Sequence, residues 1–370
     1  MSLVLYRKYR PQTFAEIVGQ EHVVRTLTNA ISSGMISHAY LFAGPRGSGK
    51  TTVARLLAKA VNCQKRKNGE FEPCNQCSSC QEIMAGRALD LIEIDAASHR
   101  GIDEIRDLKE VIGFVPSKLK YKVFVIDECQ QLTKEAANAL LKTLEEPPSH
   151  AIFVLATTEV HKMIPTIISR CQRFDFRKLT SPEIIKKLEF ICQKEKIKVE
   201  KHVLELIASN SEGSIRDAEG FLDQVFTYSG ALNKPRIEID DVKNLLGLVD
   251  INLVSQLVDF ISQKDKAGAI NFLNQVLEKG KDPQEFIKAL IDYLHRMLIL
   301  KIDLSLINPL MDGFTKEEQE KIRNQAEKLK EGDLRLFLKL FLEAENKTKY
   351  SSIPQLPLEL AIVEVIETIS

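Results

Sequence analysis

Three things are missing from this 370-residue sequence, and two of the absences exclude a class of function. Charge of one sign is not in excess: Lys plus Arg and Asp plus Glu both number 51, so no global imbalance draws the chain to nucleic acid or membrane. A simple DNA-coating protein is thereby disfavoured, and any such contact must come from a local patch. A long apolar run is also missing. The N-terminus Met1-Ser2-Leu3-Val4-Leu5-Tyr6-Arg7 has no signal-type apolar core, and runs such as Ala361-Ile362-Val363-Glu364 are cut by charge well before spanning length. A cytoplasmic protein without a membrane partner is expected. Tryptophan is absent as well, which by itself decides nothing.

Cysteine, by contrast, is present and unevenly placed. Four of the seven fall at Cys63, Cys74, Cys77 and Cys80, a C-x10-C-x2-C-x2-C spacing within one short segment. Thiolates at such intervals can converge tetrahedrally on Zn²⁺, and the polar, Gly-containing stretch Lys65 to Pro73 suits a loop folded around an ion rather than a core. Four sulfurs would fill the coordination sphere and leave no open position for catalysis. Free thiols or a redox switch are the alternative. Cys129, Cys171 and Cys192 are isolated and read as small buried side chains.

The strongest motif is Gly44-Pro45-Arg46-Gly47-Ser48-Gly49-Lys50-Thr51, which fits G-x-x-x-x-G-K-[ST]. Its glycines let successive backbone N–H groups turn inward on a phosphate, Lys50 offers a point charge to the outer phosphates, and the Thr51 hydroxyl can hold Mg²⁺. The motif needs a strand before it and a helix after it. Ala39 to Ala43 is a short apolar run, and Thr52 to Val61 has apolar residues at Val53, Ala54, Leu57, Ala58 and Val61, so both conditions are met.

Further along, Ala88 to Asp95, Lys122 to Glu128 and Ala151 to Thr158 read as buried strands separated by helical patterns, including one from Lys134 to Glu146 that Pro147-Pro148 ends. Such alternation predicts a mostly parallel sheet covered on both faces, with ligands at the carboxyl ends of the strands. Asp127 would then orient Mg²⁺ through water, and Glu128 is placed to polarise an attacking water molecule. Thr157 and Thr158 end the next strand, where a hydroxyl could meet the γ-phosphate or that water.

From Ser181 onward the pattern is helical. Ser181-Pro182-Glu183 reads as an N-cap followed by Pro at the first helical position. Arg216 falls in the first turn of a helix beginning near Ser214, where the dipole disfavours a cation, so an anionic partner is expected for it. The longer amphipathic helices after Asp250 carry no metal, nucleophile or phosphate motif and suit packing on partner helices. A chain of this length implies two or three domains.

Taken together, Tyr9-Arg10-Pro11-x-x-Phe14, Val18-Gly19-Gln20-Glu21, the phosphate loop, Asp127-Glu128, Ala156-Thr157-Thr158, Ser169-Arg170-Cys171 and Gly213-Ser214-Ile215-Arg216-Asp217 closely resemble the bacterial clamp-loader ATPases, the AAA+ gamma/tau family of DNA polymerase III subunits. The resemblance runs through the whole chain. It implies an α/β AAA+ P-loop ATPase domain at 1–178 with a four-cysteine zinc module at 63–80, a three-helix lid at 179–245 and an all-α collar at 246–370. It also implies that Arg10, Pro11, Val18 and Gly19 line the adenine and ribose side, that the loop from Gly44 to Thr52 holds phosphate, and that Thr158, with Thr157 as the alternative, senses the γ-phosphate. Arg216 would reach the nucleotide from the lid of the same subunit, and Arg170 would enter a neighbour's site as an arginine finger.

The family further implies ATP, Mg²⁺ and Zn²⁺ as cofactors. Implied partners are copies of the chain itself, delta- and delta-prime-type subunits, a sliding clamp and primer-template DNA, and the polymerase core is admitted as a further one. ATP binding at subunit interfaces would open the clamp, and hydrolysis would leave it on DNA; the chain would belong to the polymerase holoenzyme without being its polymerising subunit. Arg100 and Arg106 are the candidates for phosphate-backbone contacts. Three rivals are weaker. Intact loop and acidic residues oppose a non-hydrolysing subunit, the end at Ser370 disfavours a scaffold tethering polymerase and helicase, and Ser169-Arg170-Cys171 with the four cysteines opposes a branch-migration helicase.

Overall fold

The computed structural model describes residues 4–98, 110–232, 242, 245, 249–302 and 316–368. Two compact units divide the chain: Met1–Val199 with Leu204–Thr227, and Glu200–Val203 with Tyr228–Ser370.

In the first unit β1 (Ala39–Ala43), β2 (Leu91–Asp95), β3 (Lys122–Asp127), β4 (Ala151–Thr157) and β5 (Gln172–Asp175) form one sheet. Every pairing is parallel, in the order β2-β3-β4-β1-β5. β1 and β4 are buried at every position, as unbroken apolar strands covered on both faces must be. Alternate residues enter separate cores. Tyr40, Phe42, Val125 and Val154 pack with Val23 and Leu27 of helix Glu21–Ser33 and with Val53 and Leu57 of helix Lys50–Asn62, while Leu41, Phe124, Ile126 and Phe153 pack with Leu140 and Leu144 of helix Lys134–Glu145. The register sets Ala43 opposite Thr157 on one side and Asp175 on the other, and Asp95 opposite Asp127, so the carboxyl ends finish level along one edge.

Several boundaries differ from the sequence reading for local reasons. β2 begins at Leu91 rather than Ala88, because residues 88–91 close a turn in which the Leu91 N–H donates to the Ala88 carbonyl at 3.3 Å; the Asp90 carboxylate there accepts from the Ser117, Lys118 and Leu119 N–H groups at 2.8, 2.8 and 3.0 Å. β5 carries no apolar run; on the sheet edge only its Phe174 is buried. The helix Ser181–Glu195 is capped by Thr180, one residue earlier than expected, with Glu183 accepting from the Thr180 N–H at 2.8 Å. Helices Lys201–Asn210 and Ile215–Leu232 follow.

The second unit is helical in its described residues, with helices Ile251–Ser262, Lys266–Glu278, Pro283–Ile302, Lys316–Lys328, Glu331–Thr348 and Leu356–Thr368 around one core that includes Leu257, Phe286, Leu290, Phe337, Phe341 and Ile362. Buried Gln325 is satisfied inside it, accepting from the Tyr293 hydroxyl at 2.5 Å and donating to the Ser255 carbonyl at 2.9 Å and Asp259 Oδ1 at 2.7 Å. Among the described residues no helix is long and apolar enough to cross a membrane.

Candidate functional site

The loop Gly44 to Gly49 joins β1 to helix Lys50–Asn62 at the level edge of the sheet. Its glycines are required by neighbours as well as by backbone angle. Gly47 has φ +74°, and a Cβ there would strike the Ser214 hydroxyl; one on Gly44 would strike the Phe176 carbonyl. The loop is thus wedged between the exit of β5 and the start of helix Ile215–Leu232. Lys50 is 6% exposed, and its Nζ donates to the Gly44 and Pro45 carbonyls at 2.7 and 2.9 Å. Burial lowers its pKa, with Asp127 and Glu128 pulling the other way. One residue on, the Thr51 hydroxyl donates to Asp127 Oδ2 at 2.8 Å, tying the first helical turn to the end of β3.

A cavity of about 300 Å³ extends from this loop to the N-terminal segment. Arg46 to Thr52, Asp127 and Glu128 line one end, and Arg10, Pro11, Val18 and Arg216 also contribute to its wall. Arg216 lies over the Tyr6 ring, 5.1 Å from its centroid. Not every expected residue is a wall. Gly19 sits behind, where a Cβ would meet Leu179, itself a wall residue. Gly44, Pro45 and Thr158 border a shallower depression next door.

The strand-end acids and hydroxyls form one network. Glu128, held at φ +49°, accepts at Oε2 from the Thr158 hydroxyl at 2.9 Å and from Gln130 Nε2 at 2.7 Å. Gln130 Nε2 also reaches Thr158 Oγ1 at 3.1 Å, and its Oε1 accepts from the Thr157 hydroxyl at 2.7 Å. Thr157 is fully buried and spent on Gln130, so of the two threonines Thr158 is the one facing Glu128. Arg170 is not a wall of this cavity: it donates to the Thr166 carbonyl at 2.8 Å and pairs with Glu145 at 2.5 Å.

Three family models cover most of the chain: "DNA polymerase III, delta subunit" over residues 19–180, "DNA polymerase III clamp loader subunit, ATPase lid domain" over 183–231, and "DNA polymerase III subunits gamma and tau domain III" over 237–370. The tau subunit of DNA polymerase III from Bacillus subtilis is 42% identical over 98% of this chain, and the gamma subunit from Buchnera aphidicola of Acyrthosiphon pisum is 38% identical over 99% of it. The chain spans 63% of the first relative's length and 99% of the second's. It belongs to the gamma/tau family of clamp-loader subunits. A solved structure of a RuvB variant from Thermotoga maritima superposes with a TM-score of 0.50 at 20% identity, covering 68% of this chain and 79% of that one, which is a likeness of AAA+ fold alone.

As the cysteine spacing of this family member predicts, the four sulfurs gather. Cys63, Cys74, Cys77 and Cys80 bring them within 4.8 Å of one another, with Cys77 and Cys80 buried. Four thiolates at about 2.3 Å from one Zn²⁺ would stand about 3.8 Å apart, so the set fits a tetrahedral ion. Burial opposes ionisation of Cys74, but the N–H groups of Gln76 and Cys77, at 3.4 and 3.3 Å from its sulfur, contribute to bringing its thiol down to about 6. Glu72 lies inside the same loop yet serves elsewhere: its two oxygens accept from the Phe14 and Ala15 N–H groups, both at 2.9 Å. Nearby, buried Lys59 donates to the Gln12 carbonyl and Gln12 Oε1 at 2.9 Å each.

Several wall and network residues escape a reading of the sequence. Tyr6 and Arg7 precede the Tyr9-Arg10-Pro11 motif without belonging to it, and Ile17, Leu179, Lys187 and Glu219 enter the wall from outside the quoted motifs, whereas Ile215 stands within the motif that carries Arg216. Gln130 has no motif to mark it. Arg100 and Arg106 lie outside the described residues.

Proposed function

We propose that this chain is an ATP-hydrolysing motor of a clamp loader, binding ATP in the cavity beside Gly44 to Thr52 and using it to open a sliding clamp and leave it on primed DNA. The observation that carries this reading is the convergence of Lys50, Thr51, Asp127, Glu128 and Arg216 on a single cavity, with Thr51 and Asp127 already joined at 2.8 Å. The Lys50 ammonium would exchange the Gly44 and Pro45 carbonyls for the outer phosphates, which offer it charge-assisted hydrogen bonds in their place. Glu128 would accept a proton from the attacking water, with Thr158 beside it meeting the γ-phosphate. Mg²⁺, held by Thr51 and Asp127, would neutralise phosphate charge when bound. Arg10, Pro11 and Val18 would enclose base and ribose with Gly19 behind them, and Arg216 would report the nucleotide to the lid.

Arg170 is assigned to a neighbour's site, because its own subunit ties it to Glu145 and Thr166 away from the cavity. Cys63, Cys74, Cys77 and Cys80 are assigned to a structural Zn²⁺. The division at 178 and 245 into ATPase domain, lid and collar completes the reading, with copies of this chain, delta- and delta-prime-type subunits, clamp and primer-template DNA as partners in the cytoplasm. ATPase activity of the assembled complex, with and without clamp and primed DNA, tests it. Stimulation by both, abolished by Lys50→Ala, is expected; undiminished stimulated hydrolysis in that variant would overturn the assignment.

A further inference from the structure

Glu219 is a buried acid in the cavity wall that neither the loop motif nor the acidic strand end explains. It is 5% exposed, and among the described residues its carboxyl has no hydrogen-bond partner. Such a group is costly to bury unless something pairs with it.

Its position says what that partner is. Helix Ile215–Leu232 starts against the phosphate loop, where Ser214 is the neighbour a Gly47 Cβ would strike. Glu219 lies five residues beyond Ser214, about 7.5 Å along the axis at 1.5 Å per residue. It shares a helix face with Ile215 and Arg216, and all three line the cavity. The charge acting on it is Lys187, whose Nζ donates to the Tyr9 carbonyl at 3.1 Å. Glu219 is therefore placed toward the Lys187 side, next to the segment whose Arg10 and Pro11 line the cavity, and beyond the helix start that meets the phosphate loop.

We propose that Glu219 contacts the nucleotide base, its carboxyl accepting from the 6-amino group of adenine and donating to the adjacent ring nitrogen. This rests on the reading of the cavity as an ATP site. Burial pushes the Glu219 carboxyl up to about 8, against the pull of Lys187, so near neutrality it carries both a donor and an acceptor. A triphosphate in the same cavity favours the neutral form further. That donor–acceptor pair matches the amino-bearing edge of adenine as a bidentate contact.

Titration calorimetry of the full chain with Mg-ATP and with Mg-purine riboside triphosphate, which lacks the 6-amino group, tests the assignment. The native chain should bind the second nucleotide about tenfold more weakly. Glu219→Gln, which keeps a donor and an acceptor, should preserve that ratio, and Glu219→Leu should bring it within about twofold. An unchanged ratio in Glu219→Leu overturns the proposal, as does a native chain that binds both nucleotides equally. A carboxyl bound to ribose would instead register with 2′- or 3′-deoxy ATP, and that outcome overturns it too. A native chain that binds no ATP removes the cavity assignment itself, a result distinguishable from either of these.

Discussion

Removing the Glu72 carboxylate tests whether the cysteine module holds one wall of the nucleotide cavity. Both oxygens are engaged, Oε2 with the Phe14 N–H and Oε1 with the Ala15 N–H at 2.9 Å each. Phe14 is 1% exposed and packs in the core with Val53 and Leu57, and Arg10 and Pro11 just before it line the cavity. A hydrogen bond to a charged group contributes about 1.5–3 kcal/mol when shielded, and partial exposure reduces the pair to a working figure of about 1–2 kcal/mol. For a unit of this size that is a fall of roughly 2–8 °C in melting temperature. ATP affinity should drop by about twofold to fivefold in Glu72→Ala, because a loosened wall must be ordered on binding. Zinc removal with the thiols kept reduced should weaken ATP binding in the native chain, measured by calorimetry with Mg²⁺ present. In Glu72→Ala the further loss should stay under about twofold, since the connection is already cut. Unchanged melting and affinity in the variant, or an equal effect of zinc removal on both chains, would refute the coupling.

Other expectations concern single groups. Arg170→Ala should spare ATP binding by the isolated chain and reduce hydrolysis in the assembled complex by about 10³ or more; equal loss of both would make the arginine structural. Metal analysis of purified protein should give about one zinc per chain, lost in Cys77→Ser, and an equally stable metal-free protein would remove the module's role. Glu183 is held down to about 2, chiefly by Arg177, from an ordinary 4.5, so the pair's contribution to stability is complete above about 4.5 and is lost as pH falls toward about 2. Thermal melts across that window should slope more steeply for the native chain than for Glu183→Gln, and parallel slopes would contradict the pairing. Gln130→Leu should leave ATP affinity within about twofold while lowering kcat by roughly tenfold or more, because Glu128 and Thr157 lose the side chain that fixes them; an unaltered kcat would leave Gln130 with a packing role only.

What is legible in the sequence is what the chain writes locally. Gly44 to Thr51 and Asp127-Glu128 each sit between an apolar strand and the element after it, and the cysteines occupy one short loop, so spacing alone carries their chemistry. What is not legible depends on three-dimensional neighbours. Glu219 is an acid on the inward face of a helix, and its one sequence signal is that it falls three residues beyond Arg216. Lys187 reads as one of many lysines on an amphipathic helix until its Nζ is seen on the Tyr9 carbonyl. Gln130 acts through three separate side chains, and β5 has an exposed polar sequence because it closes the sheet edge.

On the proposed reading, the connection between the sheet and the lid helices would let the cavity respond to its occupant. Gln20 donates to the Arg177 carbonyl at 2.7 Å and accepts from the Arg177 N–H at 3.0 Å, and the Leu179 N–H donates to the Gly213 carbonyl at 3.1 Å. These bonds anchor the segment between β5 and the helix Ser181–Glu195 on both sides, so Arg216 and Glu219 are carried on a helix whose start is pinned to the phosphate loop. A nucleotide gripped at its phosphates by Lys50 and at its other end by that helix would therefore fix the angle between them. Arg170 is outside that arrangement, bound to Glu145 and Thr166. On that same reading, Lys50, Thr51, Asp127, Glu128 and Arg216 meet in one cavity of one subunit while the expected finger is tied up elsewhere on the same chain. Such a site would bind within a subunit and need a neighbour for turnover, which is the physical basis for expecting hydrolysis to depend on assembly.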